Sequence, residues 1–541
     1  MDDATQYFDR VNAAVAADDL AAAAGVAQEA LRAGVKHPLL VRLVAEDLER
    51  QDKPDQAIAF LNRALVLMPG EPTILVKLGA LLAVKRLHGD ALRILGEAAK
   101  SQSVAAEAHF LMARTLAGAG DVELGRKHYV RALEIDPGYI EARASMALML
   151  ARIGEPAKAR SEAERVLVED PDNGYAMLAL GIADTGERKF EAAEARMRTL
   201  LAHESLEEGE RVSAMSVLAD AIHGQGRAAE AFEAYRDANN GMRAIFESTY
   251  AAPAAALAAR ADRLTRAFEQ ETPERWLGVP RAADERAPEV KQHVFLVGFP
   301  RSGTTLLEQV LAAHRDVVTL EEKPTLAKAD AELLIDPSGF EKLVTLTPEA
   351  AARYRRDYWH TASMFVEPRG KIFVDKMPIG SMYLPLVARL FPDARILFAR
   401  RDPRDVVLSC FRHAFMVNPM TYSFTSIDGA ARFYGAAMTL YERYQSVLNL
   451  PTHEVRYEHL VADFDIQARA VCAFIGAEWD EAMRDFATAS NKRTVSTPSA
   501  VQVRRGLYRE GEGQWRAYAA QLSPIMPLLA PWIGPKGYPV E

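Results

Sequence analysis

The spacing of apolar and polar positions changes once along the chain. Up to about residue 246, apolar and small residues recur at helical intervals, and the pattern itself repeats. Pro69, Pro137 and Pro171 share one 34-residue register, with Ser103 at the skipped position. Five residues before each stands a small side chain, Ala64, Ala98, Ala132 or Val166, with Ala30 one unit earlier. Ala57, Ala91, Gly125 and Ala159 form a second series, and Ala45, Gly79, Ala113 and Ala147 a third. Small residues at fixed intervals predict paired helices in close approach, and the prolines predict where the second helix of each pair ends. Residues 254–269 read as one more helix. The alanine-rich patch 251–259 is interrupted by Pro253, and the polar stretch 279–288 reads as a linker. Beyond His293, short β-rich runs alternate with longer helical ones. The predicted strands are 294–297, 372–374, 395–398 and 454–457, an alternation that predicts a parallel sheet covered by helices.

The 34-residue unit resembles the tetratricopeptide (TPR) repeat, a helix–turn–helix module of that length. About six to seven units fit between residues 5 and 246. Such units bury their apolar faces only by stacking, and the stack offers a concave surface for a peptide or partner. The expected organisation is a repeat array over 1–246, a helix and linker over 247–292, and an α/β domain over 293–541.

Composition narrows the classes. A chain of 541 residues exceeds one core. A net charge of −9 weighs against a general nucleic-acid binder. Two cysteines, Cys410 and Cys472, give no disulfide framework and no zinc-site spacing, so reduced cytoplasmic thiols are the simpler expectation. The acidic start Met1–Thr5 lacks an apolar signal region, and no stretch is long and apolar enough for a bilayer span. The expectation is a cytoplasmic protein without direct membrane insertion; oligomeric assembly stays open.

The candidate chemistry begins at Val294–Thr305. Four apolar residues lead into Gly298-Phe299-Pro300-Arg301-Ser302-Gly303-Thr304-Thr305, after which Leu306, Leu307, Val310 and Leu311 have helical spacing. A strand, a glycine turn and a helix N-terminus make an anion cradle, because unpaired backbone N–H groups and the helix dipole point into the turn. The spacing Gly298-x4-Gly303 matches a Walker A loop, but Thr304 stands where a nucleotide kinase needs Lys. Arg301 adds a positive charge, and Ser302, Thr304 and Thr305 add hydroxyl donors. A second segment, Ala399 to Ser409, follows an apolar strand and opens a helix at Pro403. Arg401 offers a guanidinium fork for a phosphate, with Ser409 about two turns on. Alone, Arg401 and Asp405 read as a surface i,i+4 pair.

Together these segments resemble the sulfotransferase family. There, one loop holds the 5′-phosphosulfate of 3′-phosphoadenosine 5′-phosphosulfate (PAPS), and a later Arg…Ser pair holds the 3′-phosphate. The closest likeness is to protein-tyrosine sulfotransferases and bacterial TPR–sulfotransferase fusions. The resemblance implies a TPR superhelix followed by a P-loop-like α/β domain. It assigns nucleotide binding to Pro300, Arg301, Ser302, Gly303, Thr304, Thr305, Arg401 and Ser409. Within Thr319-Leu320-Glu321-Glu322 it matches Glu322 to the catalytic base, with Glu321 as its neighbour. In Phe373-Val374-Asp375-Lys376-Met377-Pro378, Lys376 matches a lysine on the transferring sulfonate. Tyr457 borders the nucleotide, Ser499 approaches the sulfonate, and Arg504 or Arg505 reaches the 3′-phosphate. Where the family carries a basic residue before Trp515, this chain has Gln514, with Arg516 just beyond.

The implied reaction moves sulfonate from PAPS to a hydroxyl acceptor without a metal, leaving 3′-phosphoadenosine 5′-phosphate (PAP). The expected acceptor is a protein or peptide tyrosine recruited by the array. Two alternatives stay open: the same chemistry on a glycan, lipid or small molecule, and a non-catalytic TPR adaptor with a nucleotide-binding domain. A P-loop kinase is a distant fourth because of Thr304.

Overall fold

The computed structural model describes residues 3–204, 206–282, 285, 288–336, 338–491 and 511–540. The chain divides into two compact units, Met1–Glu187 and Arg188–Glu541.

The first unit holds eleven helices among its described residues, from α1 (Asp3–Ala16) to α11 (Gly174–Gly186). Prolines whose missing N–H costs nothing at a helix start open four of them, at Pro38, Pro54, Pro72 and Pro156. Pro69, Pro137 and Pro171 fall just beyond helices that end at Leu67, Ile135 and Glu169. The small-residue series are buried where helices meet: Ala30, Ala64, Ala98, Ala132 and Val166 all lie in the core. A Cβ on Gly79 would sit 2.5 Å from Leu95 Cγ, and one on Gly125 3.1 Å from the Ala113 carbonyl oxygen. At Gly125 the helices approach almost backbone to backbone, and at Gly79 the Leu95 side chain fills the space, so neither position has room for a larger residue.

The second unit opens with helices Phe190–Leu201 and Glu208–Gly224, so hairpins of the repeat pattern continue past the division at residue 187. A 41-residue helix, Ala228–Phe268, follows without a break, about 60 Å at ~1.5 Å per residue. The sequence pattern placed an interruption at Pro253. The helix instead runs through it, giving up one backbone hydrogen bond at a cost of about 3 kcal/mol. Packing on both sides offsets that cost: Phe232, Tyr235 and Ala238 are buried before the proline, and Ala254, Arg260, Leu264 and Phe268 after it.

The sheet has five parallel strands: β1 (Gln292–Gly298), β2 (Val317–Glu321), β3 (Ile372–Lys376), β4 (Arg395–Arg400) and β5 (Thr452–Arg456), in the order β2-β3-β1-β4-β5. Four were expected. β2 was not, because Val-Val-Thr-Leu-Glu is a short edge strand with an ionic end. One face packs Val294, Leu296, Ile372 and Val374 on Leu306, Leu307, Val310 and Leu311 of the helix Thr304–Ala312. The other face is aromatic, with Phe295, Phe373, Tyr358, Trp359 and Phe391 around His293. The register sets Lys376 opposite both Leu296 and Glu321, Gly298 opposite Ala399, and Arg400 opposite Arg456. All five C-terminal strand ends thus lie along one edge, where open parallel sheets take their ligands.

Candidate functional site

Each strand end delivers part of a charged site. β1 ends at Gly298, where a Cβ would meet the Ala399 carbonyl oxygen at 2.6 Å. The chain then turns through Arg301 (φ +69°) and Gly303 (φ +95°), both left-handed. Gly303 caps the helix Thr304–Ala312. A Cβ there would lie 2.9 Å from Tyr457 Cδ2, so glycine is required twice over, for its backbone angle and for the ring beside it. Ser302, Thr304 and Thr305 are buried in the turn.

The Arg401 segment meets this loop directly. Arg301 Nε donates to Ser409 Oγ at 2.9 Å. Arg401 Nη1 donates to the Arg301 carbonyl at 3.0 Å, and Nη2 donates to the Gly511 carbonyl. Its guanidinium lies 4.8 Å over the Tyr457 ring. Arg401 is buried, not a surface partner of Asp405. Asp405 accepts the backbone N–H groups of Gly513 (2.7 Å) and Trp515 (2.8 Å), which pins segment 511–515 beside the Arg401 cluster. Burial raises the Asp405 pKa. Arg404 is wholly buried, paired with Asp402 and stacked 3.7 Å from the Trp515 ring centre. Gln514 accepts from Arg412 at 3.0 Å, and Arg516 lies over the Trp515 ring.

Two strands away, about 10 Å across the sheet, β3 carries Lys376. It is 0% exposed. Its Nζ donates to Glu322 Oε1 at 2.6 Å and lies 3.3 Å from Glu308 Oε2 and 3.6 Å from Glu321 Oε1. Glu322 follows β2 in a left-handed conformation (φ +46°), its N–H bonded to the Lys376 carbonyl. Burial favours a neutral lysine, but the three carboxylates outweigh it and raise the Lys376 pKa. Burial pushes Glu308 up to about 7 against the pull of Lys376. On the opposite face, Asp375 accepts from Tyr358 (2.8 Å) and Thr325 (2.9 Å), and burial pushes it up to about 6.

The structure thus joins Arg301, Arg401, Ser409 and Tyr457 in one cluster and Glu321, Glu322 and Lys376 in another. Ser499, Arg504 and Arg505 lie outside the described residues. Sequence reasoning missed Glu308, Asp375 and the docking role of Asp405. A charged residue inside the apolar run Leu306–Leu311 was the available signal for Glu308.

The donor set fits a nucleotide with two anionic groups. The left-handed Gly303 turn presents the N–H groups that open a helix, and the buried Nε of Arg401 has no hydrogen-bond partner among the described residues. Cys410 and Cys472 are buried free thiols. Among the described residues, no helix is long and apolar enough to cross a membrane.

The parallel sheet with these strand-end charges makes a P-loop-like α/β domain that follows the helical repeats in sequence. Residues 293–481 match the sulfotransferase family model, and residues 8–72, 77–140 and 185–241 match the tetratricopeptide repeat. One segment of the chain is thus similar to sulfotransferases and others to TPR repeats. It is 25% identical over 247 residues to an uncharacterized protein of Aquifex aeolicus (strain VF5), covering 44% of this chain and 32% of that one. It is 26% identical over 197 residues to protein-tyrosine sulfotransferase 1 of Danio rerio, covering 35% of this chain and 54% of that one. The matches span about half or less of these curated relatives. The sulfotransferase domain of the Synechococcus PCC 7002 olefin synthase aligns at 21% identity over 45% of this chain and 98% of that domain, with a TM-score of 0.27.

Proposed function

We propose that the second unit transfers sulfonate from PAPS to a hydroxyl acceptor, and that the acceptor is a protein or peptide tyrosine recruited by the TPR repeats. The observation that carries this reading is the pair of clusters on one sheet edge: a phosphate cradle at Arg301–Thr305 with Arg401 and Ser409, and a carboxylate–lysine pair, Glu322 and Lys376. PAPS supplies the activated sulfonate. The loop N–H groups and Arg301 hold its 5′ end, and Arg401 and Ser409 its 3′-phosphate. Lys376 stabilises charge on the sulfonate oxygens, the electrostatic logic of phosphoryl transfer. A free phenol has a pKa near 10 and is a poor nucleophile at neutral pH. Glu322, with its side chain 41% exposed beside Lys376, takes that proton as the new bond forms, a role typically worth about 10²–10⁴-fold.

Incubating the full chain with sulfur-labelled PAPS and a lysate of its source cell tests the reading. Label on tyrosine of a lysate protein supports it. Label only on small molecules, glycans or lipids moves the acceptor class, and no transfer beside tight nucleotide binding favours the adaptor alternative.

A further inference from the structure

Resting on the sulfonate-transfer reading, we infer that Glu308 is a positioning residue that stores a proton, so that Lys376 turns toward the sulfonate while Glu322 stays ionised. The charges gathered around Lys376 favour such a store. One ammonium faces three carboxylates. With all of them ionised these four groups sum to two negative charges, and an arriving sulfonate adds a third. Like charges gathered round one ammonium repel, the more strongly where water is excluded. One proton relieves much of this.

Glu308 is the group suited to hold it. It is 1% exposed, and its Oε2 faces Lys376 Nζ at 3.3 Å. Glu322 is partly exposed and directly bonded to Nζ. Burial penalises the charged form of a carboxyl most where water is absent. The charges acting on Glu308 come from Lys376 on β3 and from Glu321 and Glu322 at the end of β2. β1 and segment 481–488 bring apolar Leu296, Met483 and Phe486 to the same packing. Packing alone gives no reason for a glutamate among Leu306, Leu307, Val310 and Leu311. A value pushed up to about 7 agrees with a proton held near neutrality. Above that pH, solvent supplies the proton as the sulfonate engages Lys376.

Calorimetry of PAPS binding to the full chain, in two buffers of different ionisation enthalpy, tests this. At pH 8 the unmodified protein should take up close to one proton on binding PAPS. Its PAPS affinity should fall about tenfold more than that of Glu308→Gln between pH 6.5 and 8.5. The variant, a neutral isostere, should bind PAPS at pH 8 without that uptake. A merely structural role would lower the variant's melting temperature and leave the proton count unchanged. No uptake by the unmodified protein at pH 8 overturns the inference, and that measurement stands even if the variant folds poorly. Uptake that persists in the variant overturns it equally. If the unmodified protein binds no PAPS at all, the sulfonate-transfer reading itself fails and this inference falls with it.

Discussion

Lys376 and Arg401 are both cations at strand ends, yet they face opposite chemical tasks. Lys376 sits among carboxylates and Arg401 among carbonyls and a tyrosine ring; in the proposed function the first serves the reacting group and the second recognition. Two substitutions separate the tasks. Glu322→Gln should lower turnover by about 10²–10⁴-fold with nucleotide affinity nearly unchanged; a near-normal rate moves the base to another group. Arg401→Ala should weaken binding of 3′-phosphorylated nucleotide by roughly 10- to 100-fold, the worth of a charged hydrogen bond. Equal loss for an analogue lacking the 3′-phosphate contradicts its assignment. The motif residues were legible because a cation inside a glycine turn, or directly after an apolar strand, has no packing reason to be there. Glu308 was not legible, because one charge in an amphipathic helix reads as part of its wet face until the fold shows that face buried.

At the scale of elements, the strand–turn–helix at β1 is the least tolerant part. Gly303→Ala forces a Cβ against the Tyr457 ring in a backbone region that alanine avoids. We expect a loss of about 1–3 kcal/mol in urea unfolding together with weaker nucleotide binding. Unchanged stability would mean that the loop rearranges freely. Most elements followed from the sequence: the alanine and proline registers marked the hairpins, and four apolar runs marked strands. β2 escaped because its edge position leaves only Val317 and Leu320 buried. The long helix escaped because Pro253 reads locally as a break, and only packing against the rest of the unit carries the helix through it.

Across the whole molecule, neutral histidines and raised carboxyls pull the acid response of the second unit in opposite directions. Burial holds His293 and His413 down at about 3 and His223 at about 4, against 6.5 when free. With folded values below the unfolded one, their contribution is fully present above about pH 6.5 and is lost as pH falls toward 3–4. Each fully buried histidine costs about 2 kcal/mol by pH 5. All five tryptophans lie in the second unit, at 276, 359, 479, 515 and 532, so tryptophan fluorescence follows that unit alone. Glu308 and Asp375, raised to about 7 and about 6, gain stability over the same range and offset part of the histidine loss, so between pH 7 and 5 the melting temperature of His293→Phe should fall less than that of the unmodified protein. Equal falls in the two proteins contradict this role of the buried ring.

The central claim is a pocket that grips two anions of one adenosine nucleotide. Titration calorimetry of the full chain with PAP, and in parallel with adenosine 5′-phosphate and adenosine 3′-phosphate, tests it most directly. The account predicts that PAP binds at least tenfold more tightly than either monophosphate, and that Arg401→Ala removes the advantage conferred by the 3′ group. Equal affinity for all three ligands, or no binding by well-folded protein, would contradict it.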